Sequence, residues 1–324
     1  MKSIKELYRI GRGPSSSHTM APRKAAEQFL TRNTDADHFL VTLYGSLAAT
    51  GKGHMTDAAI LEILEPAAPV TIDWQPQTFL PFHPNGMNFK ALRKDDSVID
   101  DWTVYSVGGG ALAEEGKRKE DTPEVYGMGH IVDIIRYCRT NGRTIWEYVE
   151  ECEGKEIWDY LREVWRVMRE AVERGIVAEG VLPGPLHLQR KAAQYNIKSS
   201  GYAASLHSRG LVFSYALAVS EENAAGGTIV TAPTCGSCGV LPGVLYHLWK
   251  SRDFPEIRIL HSLATAGLIG NIAKHSASIS GAEAGCQAEV GVACAMASAA
   301  SCQLFGGSPM QIEYAAEMGL EHHL

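Results

Sequence analysis

Apolar and polar positions alternate in two different ways along this chain. In the first third the spacing changes from element to element. Residues 19–29 follow a polar loop with helical spacing, whereas residues 38–44 (HFLVTLY) form a short β-branched and aromatic run that predicts a strand. Residues 56–64 (TDAAILEIL) predict a second helix with Asp57 near its start, and strand-like pieces follow at 69–72, 87–91 and 97–107, broken by the turns PFHPNG and SVGGG. Helices crossing a small antiparallel sheet predict an α+β fold, with an α/β sandwich domain over residues 1–112.

Beyond that point the pattern becomes helical throughout. The segment EEGKRKEDTP is charged, lacks apolar periodicity and ends in proline, which predicts a linker over residues 113–127. Residues 128–138, 144–152 and 157–174 carry apolar residues at three-and-four spacing, as amphipathic helices do. From 201 to 320 only thirteen residues are Asp, Glu, Lys or Arg, and Ala, Gly and Ser abound. Helices of that composition approach closely and are covered nearly all round, so residues 128–324 predict an all-α domain.

Bulk composition narrows the function classes. A length of 324 residues with 45% hydrophobic content suits a two-domain globular protein, and a net charge of -7 without clustered Lys and Arg argues against nucleic-acid binding. The N-terminal MKSIKELYRIGRG lacks the apolar core of a signal peptide, and no run approaches the roughly 20 apolar residues of a membrane helix. A cytoplasmic protein with no membrane partner is expected. Seven cysteines without a disulfide framework suit reduced thiols, metal ligands or core residues.

Four stretches are candidates for chemistry. In GPSSSHT, Ser15, Ser16, Ser17 and Thr19 offer more hydroxyls than one helix cap needs. Together with the free N–H groups of a helix start they suit a carboxylate or phosphate, and His18 adds a proton switch. In TGKGHMTD, glycines flank Lys52 and expose His54 beside a helix start, a position suited to a general base or a ligand, although a histidine in a turn is commonly just solvated. In TAPTCGSCG, Cys235 and Cys238 form a C-x-x-C before a helix. No second C-x-x-C exists for a zinc ribbon, and the helical context does not suit a thioredoxin-like site. In SASISGAEAGCQAEVGVACAMASAASC, cysteines recur every eight residues. On a helix each step turns roughly 80° beyond two full turns, so Cys286, Cys294 and Cys302 cannot all face one metal centre. Cys294 and Cys302 read as helix packing, whereas Cys286 has Ser280, Gly281, Glu283 and Gly285 beside it.

In this order GPSSSHT, GKGHMTDAAI, EENAAGGTIVTAPTCGSCGVLPGVL and SASISGAEAGCQAEVGVAC closely resemble the bacterial iron–sulfur L-serine dehydratases, or L-serine ammonia-lyases, in the single-chain form with fused β and α domains. The resemblance implies an N-terminal domain like the allosteric substrate-binding domain of certain D-3-phosphoglycerate dehydrogenases and a helical domain carrying a [4Fe–4S] cluster. Three cysteines hold that cluster in the family, and the first matches Cys286. The other two belong to a segment resembling GLTCDPV…PC after EHHL, where this sequence stops, so the resemblance implies a chain that is truncated, disordered past its end or defective, without an intact cluster. Cys235 and Cys238 are not expected to replace them.

The activity implied is loss of water from L-serine to give pyruvate and ammonia, without pyridoxal phosphate. By the same resemblance His54 is the base or its relay, while His18 and Ser15 to Ser17 hold the carboxylate or orient that base. Thr234, Lys274 and Ser278 are further substrate anchors, since a charged lysine in an apolar segment needs a partner. Two rivals stand beside this reading. A pyridoxal-phosphate dehydratase would need a phosphate loop to accompany Lys274, and a cluster-free regulatory protein would only bind the amino acid. A homodimer is the expected assembly.

Overall fold

The computed structural model describes residues 1–116, 123–184, 186–279 and 281–323, without the side chains of 281–284, 286 and 287. The centre of the expected linker, 117–122, lies outside the described residues. The chain divides into two compact units, Arg12–Asp121 and a second made of Met1–Gly11 with Thr122–Leu324. Residues 1–11 therefore pack with the helical part and not with the segment they lead into. Strand β1 (Ile10–Arg12) pairs with β7 (Thr228–Val230) in a two-stranded ribbon.

The first unit is an α+β arrangement. It contains α1 (Ala21–Arg32), β2 (His38–Tyr44), α2 (Gly45–Thr50), α3 (Thr56–Leu64), β3 (Val70–Gln75), β4 (Gly86–Leu92), β5 (Val98–Ser106) and β6 (Leu112–Ala113). Among the described residues the sheet has five strands in the order β3-β2-β4-β5-β6, mixed rather than purely antiparallel. The pair β2–β3 is parallel, Phe39 opposite Val70, because α2 and α3 cross between them; the remaining pairs are antiparallel. The run HFLVTLY does form β2, with Phe39, Val41 and Leu43 buried on one face. Helix α1 covers that face through Phe29, whose ring lies 6.2 Å from Trp102 in a stacked pair and 5.5 Å from Phe89.

The second unit is helical, as expected. Its helices are α4 (Ile131–Asn141), α5 (Ile145–Glu153), α6 (Ile157–Gly175), α7 (Ala192–Ser199), α8 (Ala204–Ala224), α9 (Val240–Arg252), α10 (Glu256–Ser276), α11 (Gly281–Leu304) and α12 (Pro309–Glu321). Helix α4 ends at Gly142 in the left-handed region (φ 64°), and α5 starts on a capping box between Thr144 and Glu147. Small residues set the crossings: a Cβ on Gly175 of α6 would lie 2.3 Å from the Ala218 carbonyl oxygen of α8, and one on Gly239, just before α9, 2.3 Å from that of Ala216. Residues 1–11 run into this unit. Tyr8 donates its hydroxyl to the Leu263 carbonyl at 2.9 Å, and buried Glu153 accepts from Ser3 Oγ, the Ile4 amide and Tyr126 OH at 2.7, 2.7 and 2.8 Å. No helix among the described residues is long and apolar enough to cross a membrane.

Phe29 ties helix to sheet by burial alone, so Phe29→Ala is expected to lower the stability of the α+β unit by about 3–5 kcal/mol. A drop in the midpoint of chemical denaturation checks this.

Candidate functional site

Each unit carries its own set of the residues singled out above. In the α+β unit, Ser15 caps a single π turn, Ser16–Met20, and accepts the His18 amide at 3.1 Å. The turn places Ser17 Oγ 2.9 Å from His18 Nδ1, while His18 Nε2 meets Ser46 Oγ of α2 at 3.1 Å. Both ring nitrogens are thus occupied by hydroxyls, which serve as donor or acceptor as the tautomer requires. Ser15 Oγ stands 3.5 Å from Ser17 Oγ, and Ser16 is half-buried on the same turn.

The second loop is cross-braced to the first. Thr19 donates its hydroxyl to the His54 carbonyl at 2.7 Å, and Thr56 donates to the His18 carbonyl. Each threonine thus grips the backbone of the histidine in the other loop, and the two rings stand 4.8 Å apart. His54 closes a short 3-10 turn, Gly51–His54, ahead of Met55 in the left-handed region (φ 57°). Its Nδ1 lies 3.0 Å from the Thr50 carbonyl. A carbonyl only accepts, so Nδ1 carries a hydrogen, and in the neutral tautomer the lone pair is on Nε2. Burial, and then the neighbouring His54, push His18 down to about 4, so it is neutral near pH 7.

In the helical unit, Thr234 is buried in the loop between β7 and α9 and donates its hydroxyl to the Glu289 carboxylate of α11. Glu289 also accepts the Gly236 amide, and burial holds its carboxyl above the usual range. Thr234 Oγ1 lies 3.3 Å from Ser237 Oγ, which donates to the Ala232 carbonyl at 3.3 Å. Lys274, half-buried near the end of α10, donates to the Glu6 carbonyl at 3.3 Å. Ser278 is half-buried in the segment leading to α11. Gly285 breaks α11 at φ 79°, immediately before Cys286, whose side chain lies outside the described residues.

Five other thiols sit where burial favours the neutral form. Burial raises Cys238 to about 12 and Cys138 to about 11, and pushes Cys152, Cys294 and Cys302 up as well, which disfavours the thiolate that binds metal. Among the described residues no three His, Cys, Asp or Glu side chains converge as a metal donor set, and the Cys286 side chain lies outside them. The E-E-N motif has a structural task. Glu221 accepts the Lys191 amide at 2.6 Å at the start of α7, and Glu222 pairs with Arg174 and Arg190, each at 3.0 Å.

The reading from sequence counted Thr19 among the GPSSSHT hydroxyls but missed Ser46, Thr56 and Glu289 as parts of these clusters. Both threonines lie inside the two histidine motifs, so spacing contained that signal. Ser46 and Glu289 had none beyond residue type.

The family model for the serine dehydratase beta chain matches residues 3–77, and that for the alpha chain matches residues 44–324. The chain is 38% identical over 379 residues to an L-serine dehydratase of Haemophilus influenzae, an alignment covering 100% of this chain and 83% of the relative. It is equally 38% identical to L-serine dehydratase 1 of Escherichia coli (100% and 83% covered) and to an L-serine dehydratase of Streptomyces coelicolor (99% and 82%). The chain belongs to the iron–sulfur L-serine dehydratase family, with beta and alpha segments fused in one chain.

His18 has an acid signature. Unfolded, it takes up a proton near its ordinary 6.5; folded, only near 4, so the unfolded chain binds more protons between those values. Its contribution to stability is fully present above pH 6.5 and is lost as pH falls from 6.5 towards 4. His18→Gln is expected to lessen this acid sensitivity, read from urea midpoints at pH 7 and pH 5. His247 and His261, also pushed down by burial, keep their share. Thr56→Val, which leaves the His18 carbonyl without its hydroxyl donor, is expected to cost about 1–3 kcal/mol in the same measurement.

Proposed function

We propose that this protein eliminates water from L-serine to give pyruvate and ammonia. The observation that carries the reading is the braced pair of histidines, with His54 Nδ1 turned to the Thr50 carbonyl and a serine-rich turn alongside. Full-length likeness to proteins named L-serine dehydratase supports it.

The chemistry has two demands: an α-proton of low acidity must be removed, and hydroxide must leave. In this reading His54 Nε2 takes the α-proton. His18, neutral at pH 7 and held by Ser17 and Ser46, orients the Ser15 to Ser17 hydroxyls toward the substrate carboxylate. Thr234, Lys274 and Ser278 are assigned to substrate anchoring. The cofactor part of the reading is a [4Fe–4S] cluster with Cys286 among its ligands, which supplies a Lewis acid for the departing hydroxyl when bound. The reading includes a homodimer in the cytoplasm.

The test is anaerobic purification followed by assay of iron, sulfide and serine-dependent pyruvate release. Iron, sulfide and pyruvate together are the expected result. A protein that binds serine but releases no pyruvate would favour the regulatory binder. Within an active preparation, His54→Ala is expected to lower kcat by about 10²–10⁴-fold, the span of a lost general base. Undiminished turnover in that variant removes His54 from the role.

A further inference from the structure

Glu289 is the one acidic side chain described on α11, and it faces the turn that carries Thr234. Three observations join them. The Thr234 hydroxyl donates to the carboxylate, the Gly236 amide donates to it, and position 236 has no side chain where a Cβ would stand 2.7 Å from Glu289 Oε1. Among the described residues Glu289 makes no ion pair, so its partners are the hydroxyl and the amide of this one turn.

This arrangement decides what Thr234 can bind. A hydroxyl has one hydrogen and two lone pairs, and an ionised carboxylate can only accept. With its hydrogen committed to Glu289, Thr234 is left as an acceptor. An acceptor at that place suits an N–H donor such as the ammonium group of an α-amino acid, and it does not suit a carboxylate.

We propose that Glu289 is a positioning residue for the reaction: it fixes the turn 234–237 and orients the Thr234 hydroxyl so that its lone pairs receive the substrate ammonium. The inference rests on the serine dehydratase reading above. Glu289 acts through Thr234 and does not itself touch the substrate.

The test is a double-mutant cycle on the enzyme as purified anaerobically, with L-serine binding by calorimetry measured beside turnover. Glu289→Gln offers an NH₂ donor in place of one accepting oxygen and releases the Thr234 hydrogen. It is expected to raise KM and the serine dissociation constant about tenfold, the size of one hydrogen bond to a charged group, with a smaller change in kcat. In a Thr234→Val background the same substitution adds nothing further, because the two residues act as one unit. Gly236→Ala, which displaces the carboxylate without altering either partner, reproduces the rise in KM. Glycerate, which has the carboxylate and hydroxyls but no ammonium, inhibits the Glu289→Gln enzyme as well as the wild type. Additive effects of Glu289→Gln and Thr234→Val, or equal weakening of glycerate and serine, would show a merely structural role and overturn the proposal. So would wild-type KM and affinity in Glu289→Gln. A wild-type protein that neither binds nor dehydrates serine defeats the dehydratase reading itself, a result visible before any variant is made.

Discussion

The helical unit depends on side chains that are missing. Where α6 crosses α8, and where the start of α9 meets α8, glycine brings backbones closer than any Cβ would permit. The same device admits the first residues of the chain. A Cβ on Gly267 of α10 would lie 2.8 Å from the Tyr8 ring, and one on Gly270 would lie 2.7 Å from Leu7 Cδ2. Dense packing of this kind leaves little room for relaxation. Loops anchored on these helices, including the one bearing Thr234, therefore inherit the register of the whole unit.

In the α+β unit the corresponding constraint is polar. Packing of Phe29 against the sheet sets the helix and strands, yet it leaves the two histidine loops free to choose their own spacing. Thr19 and Thr56 remove that freedom, each bonding the backbone of the opposite histidine. Backbone carbonyls serve as the fixed points, so both imidazoles keep their ring nitrogens for Ser17, Ser46 and Thr50. Among the described residues, His54 Nε2 has no hydrogen-bond partner.

Legibility in the sequence follows the kind of force involved. Strand β2 and helix α3 were readable to the residue, because alternation and helical spacing report local burial directly. The parallel β2–β3 pair was not, since sheet order depends on which connection crosses a face. Helix α7 escaped notice because it is short and starts on the Glu221 carboxylate, some thirty residues later in the chain. Clusters were legible only where their members share a motif. Ser46 lies 28 residues from His18 and Glu289 lies 55 from Thr234, so periodicity carries no trace of either pairing. The three-cysteine stretch shows the opposite case. The rotation of the helix excluded a shared centre for all three, composition and the family resemblance singled out Cys286, and the helix breaks at Gly285 immediately before it.

The division of the chain has a consequence for its synthesis. Residues 12–121 are contiguous, so the ribosome delivers that unit complete. The helical unit is split, and its first eleven residues emerge long before their partners: Tyr8 bonds a carbonyl 255 positions later, and the Lys2 carbonyl accepts from the Asn271 side-chain amide 269 positions later. The N-terminal strip, with its buried Ile4, Leu7 and Tyr8, must wait outside any finished core while an entire neighbouring unit is made. Closing so large a loop is slow. The nascent chain thus carries an adhesive apolar leader through most of translation, a liability written into the order of its elements.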